Sequence, residues 1–229
     1  MNKNTSKEII SILKNKIPNP VCELNFTNNF ELICAVVLSA QTTDKRVNEV
    51  TPKLFSKYPT PYLLSIADIN EVKDIISSIG LATNKSKNII ALSKVIHEKY
   101  NDEVPSDMNE LLKLPGVGRK TASVVQAVGF KIPAMPVDTH LHRMAIRLGY
   151  APQKSDVLDA ERLYKKYIPI NDWIDAHHLL LLFGRYYCTA FKPKCEQCEL
   201  INYCKYKKWW FTKLSFFLCF LSLNYNGWS

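Results

Sequence analysis

The sequence predicts an all-α protein, and three observations carry that expectation. Apolar residues recur at helical spacing along most of the chain, as in Phe30, Ile33, Cys34, Val37 and Leu38, and again in Val47, Val50, Leu54 and Phe55. No stretch alternates apolar and polar side chains for long enough to form a strand. Helix boundaries are marked by residues whose chemistry suits them.

The elements follow in order. Thr43 or Asp44 can N-cap the Val47 helix by accepting a hydrogen bond from a first-turn N–H. Thr60-Pro61 puts proline at a first helical position, where its missing N–H costs nothing. Asp68 with Glu71 has the spacing of a capping box, and Gly80 is placed to end that helix as a left-handed residue. Further helices are expected at about 85–99, 106–113, 119–129, 139–148, 155–167 and 171–186, joined by short connections into a compact helical array.

Composition bounds the function. With 229 residues, 47% of them apolar and 22% charged, the chain is neither disordered, collagenous nor a coiled-coil rod. Its net charge of +9 is concentrated in two windows. Lys113, Arg119, Lys120 and Lys131 form one; Arg185, Lys192, Lys194, Lys205, Lys207 and Lys208, against Glu196 and Glu199, form the other. Such clustering suits a polyanionic partner, although a solvated surface explains charge alone equally well. The first twenty residues lack the apolar segment of a secretory signal, so a reducing, cytoplasmic setting is expected, nucleoid-associated in a bacterium. Residues 209–229, with Trp209, Trp210, Phe211, Phe216 and Phe217, break the pattern. Their apolar run is shorter than the ~20 residues a spanning helix needs, so no transmembrane span is expected. We read this tail as a translated frameshift or read-through past a natural end near Lys208, with an interfacial anchor or partner-binding segment as alternatives.

Four of the seven cysteines, Cys188, Cys195, Cys198 and Cys204, crowd into C-x6-C-x2-C-x5-C. In a reducing compartment that crowding points to metal rather than disulfides. Soft thiolates in a four-cysteine set suit tetrahedral zinc and an iron–sulfur cubane equally. Lys192 and Lys194, displayed by a metal-pinned loop, could grip phosphates. Cys22, Cys34 and Cys219 stand apart and are expected to be inert, and His177 and His178 to be core or interface residues.

The second motif is Leu114-Pro115-Gly116-Val117-Gly118-Arg119-Lys120-Thr121-Ala122, joining two short helices. Gly116 and Gly118 permit a tight turn, and the following helix start offers unpaired N–H groups to an anion. Lys120 sits in that first turn, where the macrodipole disfavours an ammonium and, with partial burial, should lower its pKa. About eighteen residues on, Val137-Asp138-Thr139-His140 opens another helix, with Asp138 suited to cap it and stay ionised.

These motifs together, with Leu-Ser-Ala-Gln-Thr-Thr-Asp at 38–44, resemble the endonuclease III family of the helix-hairpin-helix DNA glycosylase superfamily, over residues from about 7 to 208. The resemblance implies two helical domains flanking a DNA-binding cleft. One is a six-helix barrel over 24–133, with its helix-hairpin-helix at about 106–129. The other is discontinuous, 1–23 with 134–208, and holds a [4Fe–4S] cluster on the loop 188–204. It implies a monomer acting on damaged double-stranded DNA in base excision repair, as a bifunctional glycosylase and abasic-site lyase excising oxidised pyrimidines. Lys120 would be the amine nucleophile and Asp138 the essential carboxylate. Gln41 would fill the space left by the extruded nucleotide and Leu81 would act as an apolar wedge. Gly116, Gly118, Lys192 and Lys194 would contact phosphates, and Cys188, Cys195, Cys198 and Cys204 would hold the cluster, the only cofactor implied. After Leu81 the sequence reads Ala82-Thr83-Asn84-Lys85, where the family often has an aromatic. The alternatives are a monofunctional adenine or mismatch glycosylase of the same superfamily, and a non-catalytic DNA-binding module with a zinc-pinned basic loop.

Overall fold

Eight helices open on a side chain that accepts hydrogen bonds from the first turn, and these caps define the architecture. In the computed structural model, which describes residues 1–206, the helices are α1 (Lys3–Lys16), α2 (Asn29–Leu38), α3 (Asp44–Lys57), α4 (Pro61–Ser65), α5 (Ile69–Ile75), α6 (Ala82–Tyr100), α7 (Met108–Leu111), α8 (Arg119–Val124), α9 (Thr139–Arg147), α10 (Val157–Tyr167) and α11 (Trp173–Tyr186). The described residues contain no strand, as the sequence predicts. Asn2, Asn28, Thr43, Thr60, Asp68, Asp107, Asp138 and Asp156 are the caps. Only α6, α8 and α11 start without one among the described residues. The aromatic segment from Trp209, Cys219 and the basic pair Lys207-Lys208 lie outside the described residues.

The chain divides into two compact units, Val21–Pro136 and Met1–Pro20 together with the chain from Val137 on. In the first, α2 is the central element. Its residues Leu32 to Leu38 are all buried, so it is apolar on every side, and α3, α6 and α8 pack against it. Leu54, Leu64, Val72, Ile76, Ile89, Leu92, Ile96, Leu111, Ala122 and Val125 complete this core. After α8 the helix continues as a π turn over Val125–Gly129, pressed on the start of α2. A Cβ at Gly129 would stand 2.5 Å from Asn29 Oδ1, so any larger residue would have to displace the Asn29 side chain.

In the second unit α11 packs on α1 and α9, and α10 packs on α9. Tyr164, fully buried, donates to Leu141 O at 2.9 Å. Tyr150 lies against it with ring centroids 4.7 Å apart, and its hydroxyl meets Ser6 Oγ at 2.8 Å, tying α1 to this core.

Several local expectations change. Gly80 does not take up a left-handed conformation; Leu81 does, with φ 62°. Asp68 caps α5, but Glu71 does not complete a box, because its carboxylate is taken by Lys57 and, at 2.6 Å, by the Tyr58 hydroxyl. The helix expected at 106–113 shrinks to Met108–Leu111, and that expected at 119–129 turns from α to π halfway.

Lys85, in the first turn of α6, is 4% exposed and its ammonium meets no hydrogen-bond partner among the described residues. Burial holds its pKa below the ordinary 10.5. The charged form is therefore penalised in the fold, and that penalty fades as pH rises through the folded-state value towards 10.5. We predict that Lys85→Met stabilises the protein by about 1–2 kcal/mol near neutral pH. In paired thermal melts the gap between variant and parent should narrow at alkaline pH. A variant equally or less stable at pH 7 would refute this account.

Candidate functional site

The glycine hairpin is built from a buried triad. Leu111, Leu114 and Val117 anchor it in the core, and Val117 N–H donates to Leu114 O at 3.1 Å. Between them Gly116 has φ 76°, and a Cβ there would lie 3.0 Å from the side chain of Asn88. Both conformation and space thus require glycine. Gly118 follows in extended conformation as the N-cap of α8 and offers no side chain to its N–H groups. Lys120 lies in this uncapped first turn, exposed, with no hydrogen bond or ion pair among the described residues. The partial burial expected of it is absent, because the first turn of α8 projects from the core that Ala122 and Ser123 enter. Nor does the surrounding window act as four equal cations. Lys113 is held at 2.7 Å by Glu110, which raises the lysine's pKa through that hydrogen bond.

Gln41 and Leu81 share a feature the sequence did not signal. Both are exposed and both have left-handed backbones, with φ 55° and 62°. Neither residue type favours that region, and each such residue costs on the order of 1–3 kcal/mol. Gln41 stands in the tight turn between α2 and α3, where Thr42 N–H donates to Ser39 O and Thr43 caps α3. Leu81, 54% exposed, is the N-cap position of α6 and accepts from the N–H groups of Asn84 and Lys85. Leu81 and Gln41 are thus presented outward on strained, defined turns, not buried as helix-end contacts.

In the other unit Asp138 caps α9. Its Oδ1 accepts from His140 and Leu141 N–H, each at 2.9 Å, and Oδ2 has no partner among the described residues. The residue is half-buried, so one oxygen is committed to the helix and the other remains available. Burial depresses the pKa of the neighbouring His140, and the Asp138 charge opposes that effect.

Cys188, Cys195, Cys198 and Cys204 line one cavity, together with Phe183, Tyr187 and Tyr206. Burial, reinforced by the neighbouring thiolates, pushes Cys198 up to about 11 and raises Cys195 as well. Four soft donors that repel one another as thiolates call for a cation among them. Among the described residues, no three His, Cys, Asp or Glu side chains are grouped to hold a single metal ion. By its chemistry the four-cysteine donor set suits tetrahedral zinc and an iron–sulfur centre alike.

Sequence reasoning missed what holds this loop. Arg147, 7% exposed, donates to the carbonyls of Thr189 and Ala190 at 2.8 and 3.1 Å and to Cys188 Sγ at 3.1 Å, and its guanidinium lies over the Tyr206 ring. Arg143 donates to Cys188 O at 3.1 Å and Gly184 O at 2.6 Å. The available signal was Arg147 falling three residues after Met144 on the apolar stripe of α9, where an arginine must find buried acceptors. Lys192 and Lys194 are both exposed on the loop, Lys194 with its ammonium 5.3 Å from the Tyr187 ring centre. His177 and His178 are buried in α11 with their rings edge to face, and Cys34 is fully buried with its thiol pushed far up. A groove of about 760 Å³ in the first unit, lined by Phe30, Tyr62, His97 and Phe130 among others, includes none of the expected site residues.

A wholly helical protein with a glycine hairpin, an exposed first-turn lysine and a helix-capping aspartate has the make-up of a helix-hairpin-helix base-excision repair protein. Residues 34–169 match the profile of the HhH-GPD superfamily base excision DNA repair proteins. The chain is 50% identical over 188 residues to endonuclease III of Bacillus subtilis, covering 82% of this chain and 86% of that one. It is 43% identical over 208 residues to endonuclease III of Escherichia coli K12, covering 91% and 98%. A solved structure of a trapped endonuclease III–DNA covalent intermediate matches with a TM-score of 0.86 at 45% identity, covering 90% of this chain and 96% of that one. The chain belongs to the endonuclease III family of this superfamily.

Arg147→Met should lower stability by about 2–4 kcal/mol, because it strands buried carbonyls. It should also make the 188–195 segment the first site of proteolysis. Unchanged melting and an unchanged cleavage map would show that the arginine does not hold the loop.

Proposed function

We infer that this protein is a bifunctional DNA glycosylase and abasic-site lyase of base excision repair, acting on oxidised pyrimidines in duplex DNA. The observation that carries the reading is Lys120: an exposed primary amine, without an ion pair among the described residues, in the uncapped first turn after the glycine hairpin. A lysine kept for solubility gains nothing at the positive end of a helix, whereas one meant to meet a phosphate-flanked sugar does. The name of the structural relative, a trapped endonuclease III–DNA covalent intermediate, supports covalent chemistry.

The chemistry follows from the groups. The amine gives up a proton to a base, for which the free Oδ2 of Asp138 is suited, and its lone pair attacks C1′. The glycosidic bond breaks and the base leaves with the bonding pair. Opening of the C1′–O4′ bond gives an iminium in which the nitrogen of Lys120 is doubly bonded to C1′. That cation acidifies the C2′ proton; its loss expels the 3′ phosphate by β-elimination, and water then frees the lysine. The ionised Asp138 also stabilises positive charge developing on the sugar. To expose C1′ the nucleotide leaves the stack, at a cost of a few kcal/mol that is smallest for damaged pairs. Gln41 and Leu81, exposed on strained turns, are suited to fill the gap. The uncapped N–H groups after Gly116 and Gly118 bind a phosphate without reading sequence.

Cys188, Cys195, Cys198 and Cys204 would hold a [4Fe–4S] cluster, which supplies a fixed, redox-capable centre that pins the loop carrying Lys192 and Lys194. Their convergence on one cavity supports this assignment.

Three outcomes test the reading. Borohydride should trap the protein on abasic duplex, and Lys120→Ala should abolish the adduct; an undiminished adduct would remove Lys120 as nucleophile. Asp138→Asn should cut turnover at least tenfold while leaving melting and abasic-DNA binding nearly intact, since asparagine caps as well as aspartate. Lost stability with unimpaired turnover would leave Asp138 a cap only. Purified protein should absorb broadly in the visible, and Cys198→Ala should bleach it, whereas a colourless protein with one zinc would overturn the cluster.

A further inference from the structure

Phe191 is 95% exposed, while no other large apolar side chain among the described residues exceeds 64%. Its segment is not loose. Arg147 grips the carbonyls of Thr189 and Ala190, the two residues before it. On the far side Lys194 N–H donates to Tyr187 O at 3.0 Å and Cys195 N–H to Pro193 O at 2.9 Å. The loop is thus tied at both feet, with the phenyl ring at its tip and Lys192 beside it, also exposed. Holding a phenyl ring in water gives up the burial that stabilises every other aromatic core residue, so its place on a braced loop asks for a partner.

The neighbouring charge identifies that partner. Lys192 and Lys194 outnumber Glu196 around the tip, and Glu199 is already engaged by Lys16 at 2.6 Å. A polyanion with apolar faces between its charges fits: duplex DNA, whose deoxyribose faces line the minor groove between phosphates. We propose that Phe191 is a DNA-contacting residue, packing its ring on the sugar and base edge of the minor groove next to the phosphates that Lys192 and Lys194 contact. This rests on the DNA-repair reading above and adds to it an apolar contact that salt does not screen.

Salt separates the two kinds of contact. Each phosphate contact contributes about 0.9 to the slope of log Kd against log salt, whereas an apolar contact contributes none. With full-length holoprotein and a duplex carrying a stable abasic analogue, Phe191→Ala should weaken binding about tenfold at every salt from about 50 to about 200 mM, at unchanged slope. Phe191→Leu should recover part of the loss, and Lys192→Ala should instead lower the slope by about 0.9. Melting temperature and visible absorbance of Phe191→Ala should equal the parent's, which excludes damage to the loop. Binding by Phe191→Ala within twofold of the parent overturns the proposal. So does a result in which the substitution instead reduces binding to anionic phosphatidylglycerol vesicles or dissociates a dimer. If the parent neither binds this duplex nor cleaves the matching duplex with a natural abasic site, the repair reading fails; if the parent does both and Phe191→Ala matches it, only this contact fails.

Discussion

The functional arrangement depends on where helix N-termini are left unsatisfied. Among the described residues eight α-helices close their first turns with an Asn, Thr or Asp oxygen, and three do not. One of the three, α11, is entered from a turn of 3-10 helix at Ile170–Asp172, which continues directly into it. The other two, α6 and α8, begin on Leu81 and Gly118, neither of which has a side-chain acceptor. An uncapped start costs on the order of 1 kcal/mol, so two such starts beside a glycine hairpin and a strained leucine are not explained by stability. In the proposed function they are positive, donor-rich starts suited to an anion.

Strain follows this pattern only in part, since Lys131, left-handed at φ 56°, lies outside the turns of Gln41 and Leu81. Leu81 and Gln41 stand in the left-handed region, where β-carbon sterics disfavour both. Asn101 and Asp102, also left-handed, need no such account, because Asn and Asp tolerate the region and Asn101 ends α6 as a C-cap. The well-packed α2 and α6 hold the two strained turns in place: α2 by its all-buried sequence and α6 by Ile89, Leu92 and Ile96. The packed core therefore fixes the exposed conformations of Gln41 and Leu81.

Helices were legible in the sequence because apolar periodicity and capping chemistry are local. Thr43, Thr60, Asp68 and Asp138 all cap the helices expected of them. What failed was decided by partners distant in sequence. Glu71 has the capping-box spacing, but Lys57 and Tyr58 at the C-terminal end of α3 take up its carboxylate. Gly80 has the composition of a left-handed helix end, yet the chain spends that conformation one residue later, on Leu81. Four cysteines announce a centre by spacing alone, whereas Arg147, forty-one residues before Cys188, gives no sign of its role until the fold brings its guanidinium to the loop.

That arginine links the two halves of the site on its own unit. Helix α9 is nine residues long, about 14 Å from end to end, with Asp138 at its start and Arg147 as its last residue. Arg143, one turn earlier, reaches Cys188 O and Gly184 O, and Gly184 in turn packs close to His140 in the first turn of α9. The carboxylate and the cysteine loop are therefore opposite ends of one short rigid rod braced against α11. A centre bound by the four cysteines need not touch the reacting sugar to matter. Arg143 and Arg147 already tie residues 188–190 to the far end of α9, and a helix of two and a half turns cannot tilt at one end without moving the other. Asp138, oriented by the N–H groups of His140 and Leu141, and the loop that presents Phe191 and Lys192 thus share one helix, so the groups proposed for chemistry and for grip are built on the same element.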